Sequence, residues 1–550
     1  MHKSHLSKIT AACLFFQAAF AGLHAADPLP LQPGEPGNRK ERLEWFRDLG
    51  FGLFIHWSVD SQLGSVISHS MVGADEAYLE KFVHDLPKTF NPKHFDAREW
   101  AALAKLAGIK YVMFTNKHHS GFAMWRTDTT PFGIKNTPFQ RDISAEVFEA
   151  FREQGLAAGV YFSPEDFLWL KNNNLTIERG TPTVDPENQL GLMQLAQTQL
   201  TELLGNYGKI DLLFLDGSPV GLRDLGWRMN PDLVVTRGAI PTPEQTVPGV
   251  ALDTAWESCI TMGTQWQYKP TNEVYKSGGE LIALLIETRA KGGNLLLNVG
   301  PKPNGELPIE QEERLREIAL WMFVNSECIH GARPWIVTNE NDYWFTRKKD
   351  TDTVYVIVKE RERWKQGAWK EIVLRSVKAT EKTQITVLGQ NDRSLEYQLD
   401  VIPKTTWQQS QDALRIRAMH AQRLYNDKKW PNPIVLKITH AAPALVPPLI
   451  ETLEARWSAD KKSAICNAEV KTLGDTNTIT VYAEYRDITG MDWNERTSAW
   501  VRSNGKPVTA PGHVEIAVKG LDPKRSYEIR SVVQHPLLTR YGKEVRLRRP

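Results

Sequence analysis

The chain has 550 residues, and its 67 lysines and arginines are nearly balanced by 65 aspartates and glutamates. That balance excludes the strongly basic surface of a nucleic-acid binder, and an apolar share of 41% excludes an intrinsically disordered chain. The length exceeds what one hydrophobic core fills, so roughly two to four domains are expected.

The first segment is a sorting signal by its layout. MHKSHLSK is basic, ITAACLFFQAAFAGL is apolar, and Ala19-Phe20-Ala21 or Ala25-Ala26 offers small residues for cleavage. This predicts a secretory signal peptide over residues 1–26 and a mature protein in the periplasm or outside the cell. Cys13 falls within it. The remaining cysteines, Cys259, Cys328 and Cys466, are far apart, odd in number and without metal-ligand spacing, which argues against a disulfide framework or a zinc site. No later stretch approaches the ~20 apolar residues of a membrane-spanning helix.

Residues 27–337 alternate short apolar runs with amphipathic segments. The runs are FGLFIH (51–56), YVMFT (111–115), AAGVYF (157–162), IDLLFL (210–215), LVVT (233–236), TAWE (254–257) and NLLLNV (294–299). Between several of them lie helical patterns such as AREWAALAKLAG and ISAEVFEAFREQG, each ending on a glycine that can close a helix. Repeated strand-then-helix order over this length predicts a (β/α)8 TIM-type barrel, with seven strands placed and the eighth not located. Past the helical pattern PIEQEERLREIALWMFVNSE the period changes to strand-like alternation. Residues 338–440 are predicted to form a β-sandwich. After the proline-rich break HAAPALVPPLIE, residues 441–550 are predicted to form a fibronectin- or immunoglobulin-like β-sandwich.

The residues that follow the apolar runs carry the chemistry. His56-Trp57 follow the first run, and Asn116-Lys117-His118-His119-Ser120-Gly121 follow the second. Ser163-Pro164-Glu165-Asp166 follow the third, with Tyr161 just inside it. Asp216-Gly217, Arg237, Trp256-Glu257 and Asn298 follow the later ones. Asp-Gly taken alone is a turn signal. Polar groups at the end of run after run fit the C-terminal mouth of a barrel better. Two carboxylates on different strands, Asp216 and Glu257, with histidines and tryptophans around them, suit glycosidic cleavage. Glu165 and Asp166 are rivals for the acid role. A metal hydrolase is disfavoured, because no HxxH or HxH spacing occurs and adjacent His118 and His119 do not readily converge on one ion. A serine hydrolase is disfavoured because no G-x-S-x-G elbow occurs.

FGLFIHWS, TNKHHSGFAMW, LLFLDG and AWESCITMGTQWQY, in this order and spacing, resemble the α-L-fucosidases of glycoside hydrolase family 29; TPEQTVPG and GGNLLLNVGPKPNGELP support the match, which runs over residues 41–335. The resemblance implies a secreted exo-acting enzyme that takes terminal L-fucose from an oligosaccharide or glycoconjugate with retention and without cofactor or metal. It implies Asp216 as nucleophile and Glu257 as acid/base. His56, His118 and His119 would hold sugar hydroxyls, with Tyr161, Arg237 and Trp266 lining the pocket.

The chain departs from the family pattern at several points. Ser58 stands for a glycine, Ser120 for the aspartate of K-H-H-D-G-F, Phe214 for a tryptophan, and Ser68-His69-Ser70 for a Gly-Glu-Trp that touches the sugar. His69 is therefore a candidate replacement contact. A galactose-type or modified-fucose substrate on the same fold is one alternative. A non-catalytic carbohydrate-binding protein is the other, against which the presence of both Asp216 and Glu257 argues.

Overall fold

The computed structural model describes residues 28–249, 251–252, 254–359, 364–422, 432–459, 461–489, 499–535 and 538–547. The expected signal peptide lies outside the described residues. Seven parallel strands curl into one sheet: β1 (Phe51–Ile55), β2 (Tyr111–Lys117), β3 (Ala157–Phe162), β4 (Leu212–Leu215), β5 (Val234–Val235), β6 (Glu257–Thr261) and β7 (Asn294–Val299). Their order across the sheet is β5-β4-β3-β2-β1-β7-β6. Both faces are covered, so the strands are almost uniformly buried and apolar rather than alternating. This is the (β/α)8-type architecture expected from the sequence.

The stave that the sequence does not reveal lies between β5 and β6, and its composition explains why. The segment around Pro241-Thr242-Pro243-Glu244-Gln245 runs beside β6. Glu257 N–H donates to Pro241 O and Cys259 N–H to Pro243 O, both at 3.1 Å, while Gln245 N–H donates to Cys259 O at 2.9 Å. Two prolines lack the N–H groups needed to build a regular ladder on the other side, so the segment reads as a loop while filling a strand's place.

One strand was expected in the wrong register. TAWE predicts a strand that ends at Glu257, but β6 begins there. Glu257 pairs with Asn294, the first residue of β7. The glutamate therefore belongs to the N-terminal end of the barrel. That end is closed by the helix Lys40–Leu49, whose buried Phe46 packs 5.7 Å from the Tyr111 ring. Asn294 reaches across to donate to Phe46 O at 2.7 Å.

Residues 332–443 form a five-stranded and a three-stranded antiparallel sheet around Val356, Leu374, Ile416 and Leu436. The first strand, Ala332–Glu340, already belongs to this unit ahead of the expected boundary at 338, and the strand Ile434–Pro443 runs past 440. Residues 449–547 form a second pair of sheets around Cys466, Val481, Ile516 and Ile529. This last unit meets the barrel at its closed end. A Cβ on Gly249 would fall 2.2 Å from an Arg530 nitrogen, while Arg540 donates to Ile336 O of the preceding β unit. Among the described residues, no helix is long and apolar enough to cross a membrane.

Gly52 is fixed by packing inside the barrel. It sits level with Tyr111 on β2, and a Cβ there would lie 2.2 Å from the Tyr111 ring. Gly52→Ala is expected to destabilise the barrel by about 1–3 kcal/mol through overpacking, measured as a lowered thermal transition. An unchanged transition would mean that Tyr111 yields freely.

Candidate active site

The polar groups converge on Asp216 at the open end of the barrel. Its backbone N–H donates to Phe162 O at 3.1 Å, which holds it at the tip of β4. Gly217 then turns the chain at φ 145°, so the turn expected from Asp-Gly and the site are one feature. Arg237 donates to Asp216 Oδ1 at 2.9 Å and the Tyr161 hydroxyl donates to Oδ2 at 2.6 Å. Burial works against ionisation, but the contact with His119 and the guanidinium groups of Arg237 and Arg179 outweigh it and hold this carboxyl well below the usual carboxylate range. The Asp216 side chain keeps 16% of its surface accessible. It is thus an anion that a ligand can reach.

The histidines form one wall, and the hydrogen bonds around two of them fix their tautomers. Asn298 donates through Nδ2 to Trp266 O (2.6 Å), so its Oδ1 accepts from His56 Nδ1–H (2.6 Å) and leaves His56 Nε2 as an acceptor. His118 Nδ1 accepts from the His119 backbone N–H at 2.9 Å, which leaves Nε2–H as a donor. Burial lowers all three imidazoles, His56 and His119 to about 4 and His118 well below its ordinary range, so they are neutral near pH 7. His118 stacks on Tyr161 with centroids 5.2 Å apart, and Trp266 covers His56 at 4.9 Å. Donor atoms of His118, His119 and Asp216 lie within 4.8 Å of one another. The sequence argument that the adjacent histidines cannot converge is therefore not met. Asp216 Oδ1 also accepts from the Arg237 guanidinium and Oδ2 from the Tyr161 hydroxyl.

His69 lies exposed on the rim, its Nδ1 2.8 Å from Ser68 Oγ. It is near enough to His119 to oppose protonation there. Phe214 stacks on Tyr161 at 5.4 Å and lies 4.7 Å beneath the Arg237 guanidinium. Ser120 is fully buried.

Glu257 is not part of this assembly. It sits at the closed end, fully buried, with Oε2 accepting from the Tyr111 hydroxyl at 2.6 Å. Tyr111 is the first residue of β2. Glu257 lies four residues before Thr261, the last residue of β6. At ~3.3 Å per residue this separates it from the mouth by about 13 Å. The expected Asp216–Glu257 pair is therefore corrected. Burial raises Glu257 to about 7 despite the Tyr111 bond, which is the signature of a core acid as much as of a catalytic one. Asp166 is also structural: it caps the helix Phe167–Asn172 by accepting from Trp169 N–H at 2.9 Å and pairs with buried Lys117 at 3.2 Å.

Glu165, by contrast, enters the mouth. Its Oε2 lies 3.2 Å from His119 Nδ1 and 3.4 Å from Arg179 Nε, and burial raises its carboxyl to about 7. Arg179 and Glu244 were not singled out from the sequence. Arg179 belongs to KNNNLTIERGTPTVDPE, a segment without periodicity. Glu244 belongs to the proline-rich stave and accepts from Arg237 Nη2 at 2.6 Å. The only signal for Glu244 was its place in TPEQTVPG.

Comparison with known proteins fixes the family. A family profile described as Alpha-L-fucosidase matches residues 32–327. The chain belongs to this family. It is similar to an α-L-fucosidase of Dictyostelium discoideum, 28% identical over 65% of this chain and 86% of the relative. It is also similar to plasma α-L-fucosidase of Rattus norvegicus, 31% identical over 58% of this chain and 78% of the relative. Among solved structures, α-L-fucosidase isoenzyme 1 from Paenibacillus thiaminolyticus superposes with a TM-score of 0.58 at 25% identity, covering 73% of this chain and 99% of that one. The α-L-fucosidase from Vibrio sp. strain EJY3 covers 88% of this chain and 94% of that one with a TM-score of 0.60 at 19% identity, a likeness of fold. The protein is a glycoside hydrolase of the α-L-fucosidase family, and membership implies a fucosylated glycan as substrate.

The position of Glu257 in this fucosidase has a thermodynamic consequence. Its carboxyl rises from 4.5 to about 7 on folding, so between those values the folded state binds more protons than the unfolded state, and stability falls as pH rises through the window. Glu257→Gln removes the titration. The variant's thermal transition, relative to wild type, is expected to improve from pH 4.5 to pH 8 by the equivalent of about 1–3 kcal/mol, with hydrolysis of an aryl fucoside kept within a few-fold. Collapse of turnover with unchanged stability would return Glu257 to the chemistry.

Proposed function

We propose that this fucosidase-family hydrolase is an exo-acting enzyme that releases terminal L-fucose by double displacement. Asp216 attacks the anomeric carbon and forms a covalent fucosyl-enzyme, which water then resolves. One observation carries the reading: Asp216 is an accessible carboxylate held ionised by Arg237 and Tyr161 beneath a wall of neutral histidines. An anion so stabilised is suited to attack and unsuited to donate a proton. His56 Nε2 and His118 Nε2–H offer one acceptor and one donor to sugar hydroxyls, while Trp266 borders the ring.

The leaving oxygen needs a proton from a carboxyl group on the same side of the barrel. Glu165, Glu244 and Glu273 follow β3, β5 and β6. Glu244 is committed to Arg237 at 2.6 Å, and Glu165 faces His119 and Arg179. Glu273 belongs to the loop that also carries Trp266. Its Oε1 accepts from Thr264 N–H at 2.7 Å and Thr264 Oγ–H at 2.8 Å, and among the described residues no hydrogen bond is recorded to its Oε2. This reading assigns the proton donor to Glu273. It also takes the protein to be exported, on the sequence of residues 1–26 alone.

The nucleophile is tested by incubation with 2-deoxy-2-fluoro-L-fucosyl fluoride followed by peptide mass spectrometry. The label is expected on Asp216, and Asp216→Gly is expected to lose at least ~10³-fold in kcat. A label on another residue, or release of the anomer of inverted configuration, would overturn double displacement. For the acid, Glu273→Ala is expected to lose about 10²–10⁴-fold on substrates with poor leaving groups. It should lose far less on activated aryl fucosides, where azide should restore turnover. A loss independent of the leaving group would remove Glu273 from that role.

A further inference from the structure

Arg179 is a guanidinium at the mouth that the fold itself leaves largely unused. It belongs to the loop after β3, and 31% of its side chain is accessible. A guanidinium carries five N–H donors in a planar fork. Among the described residues no hydrogen bond from Arg179 is recorded, and its buried Nε has no hydrogen-bond partner. Its one ion pair there is with Glu165, whose Oε2 stands 3.4 Å from Nε without hydrogen-bond geometry. Arg237, the other arginine of the site, donates to Asp216, to Glu244 and to Thr242 O.

The acids near Arg179 are engaged elsewhere or suppressed. Asp216 and Glu244 both pair with Arg237, at 2.9 and 2.6 Å. Burial raises Glu165 to about 7 and Asp185, further along the same loop, to about 6. Burial also works against the charge on Arg179, but Asp216 and Glu165 outweigh it and keep the guanidinium protonated. On the rim, the loop after β1 contains no carboxylate over residues 61–74, and His69 stands there instead. Arg179 and His69 both oppose a proton on His119, so two basic side chains flank that imidazole.

We propose that Arg179 makes this enzyme select anionic fucosides, in which a sulfate ester or a carboxylate lies on the fucose or on the group next to it. The planar fork matches either anion through paired N–H···O bonds. Donors left unmet in a half-buried place cost free energy that such a ligand recovers. A neutral fucoside offers no charge to pair, so the gain is specific to the charged substrate. The loop after β1 adds to the discrimination by placing no acid where it would repel the anion. The inference rests on the proposed function in taking Asp216 as the reacting group beside which the substrate binds.

The test compares charged and neutral substrates across enzymes. Wild type, Arg179→Met and His69→Glu are assayed on 4-nitrophenyl α-L-fucoside, on its 2-, 3- and 4-O-sulfates, and on 3-carboxyphenyl α-L-fucoside paired with its neutral 3-carbamoylphenyl counterpart. A sulfate slows the chemistry by withdrawing electrons, and this intrinsic effect cancels in the comparison between enzymes. Arg179→Met is expected to lower kcat/KM on at least one anionic member by about 10–100-fold more than on its neutral counterpart. If that member is a sulfate, the anion sits on the fucose; if it is the carboxyphenyl fucoside, it sits on the leaving side. His69→Glu, an exposed change that folds readily, should reduce the same charged-to-neutral ratio several-fold, and sodium chloride should weaken the ratio in wild type. Equal losses on charged and neutral members in Arg179→Met would overturn the proposal, since that pattern belongs to an arginine that acts only on the charge of Asp216. So would a wild type that neither hydrolyses nor is inhibited by any anionic member. Fluorosugar labelling separates the two readings. Label away from Asp216 removes the nucleophile assignment while the charge ratio is still read, whereas label on Asp216 without an anionic preference removes this inference alone.

Discussion

The interaction on which the rest depends is the ion pair between Arg237 and Asp216. A carboxylate placed at the tip of a buried strand would take up a proton if burial acted alone. Arg237 prevents this, but a guanidinium in the same surroundings is itself costly unless its other donors are met. Glu244 accepts from Nη2 at 2.6 Å and the Phe214 ring supports the group's face, while Nε remains without a hydrogen-bond partner. Glu244 stays next to Arg237 because the proline-bearing stave is tied to β6 by backbone bonds from Glu257 and Cys259. The charge state of one half-buried carboxylate is thus set by the backbone path of a segment that has no regular secondary structure.

The two ends of the barrel differ in what can reach them. At the closed end, the helix Lys40–Leu49, Tyr111, Asn294 and Glu257 fill the interior; Tyr111 donates to Glu257 Oε2 and Asn294 to Phe46 O, while Glu257 Oε1 has no hydrogen-bond partner. At the open end, Glu165 Oε2 is likewise buried without one, but the Asp216 side chain near it keeps 16% of its surface accessible. A perturbed carboxyl does not distinguish the ends. Glu257, Glu244 and Glu165 all rise to about 7 through burial, yet only the last two lie beside Asp216's partners.

This is why the sequence was legible for some residues and not for others. Apolar runs followed by His56, His118-His119, Asp216 and Arg237 place those residues correctly, because a strand that ends in a polar cluster delivers it to the mouth. TAWE fails because the run is read as a strand when the strand starts at its last residue. A shift of a few positions along a stave then moves Glu257 from one end of the barrel to the other. Arg179, Glu244 and Glu273 sit in loops, where position is set by tertiary packing rather than by periodicity. The eighth stave was hidden for a related reason: proline marks a loop in sequence, although here it borders a strand.

The arrangement of the β units narrows where sugar selectivity can arise. The last unit approaches the barrel at Gly249 on the closed end and bonds the middle β unit at Ile336, so the mouth described here is built by barrel loops. Three of them carry the features that depart from the family pattern or escaped it: the loop after β1 with Ser68 and His69, the loop after β3 with Glu165 and Arg179, and the loop after β6 with Trp266 and Glu273. The first has exchanged an acid for a histidine and two serines, while the second brings an acid to His119. Under the proposed function, the acceptors offered to the sugar therefore stand at different places around Asp216 from those of the family pattern.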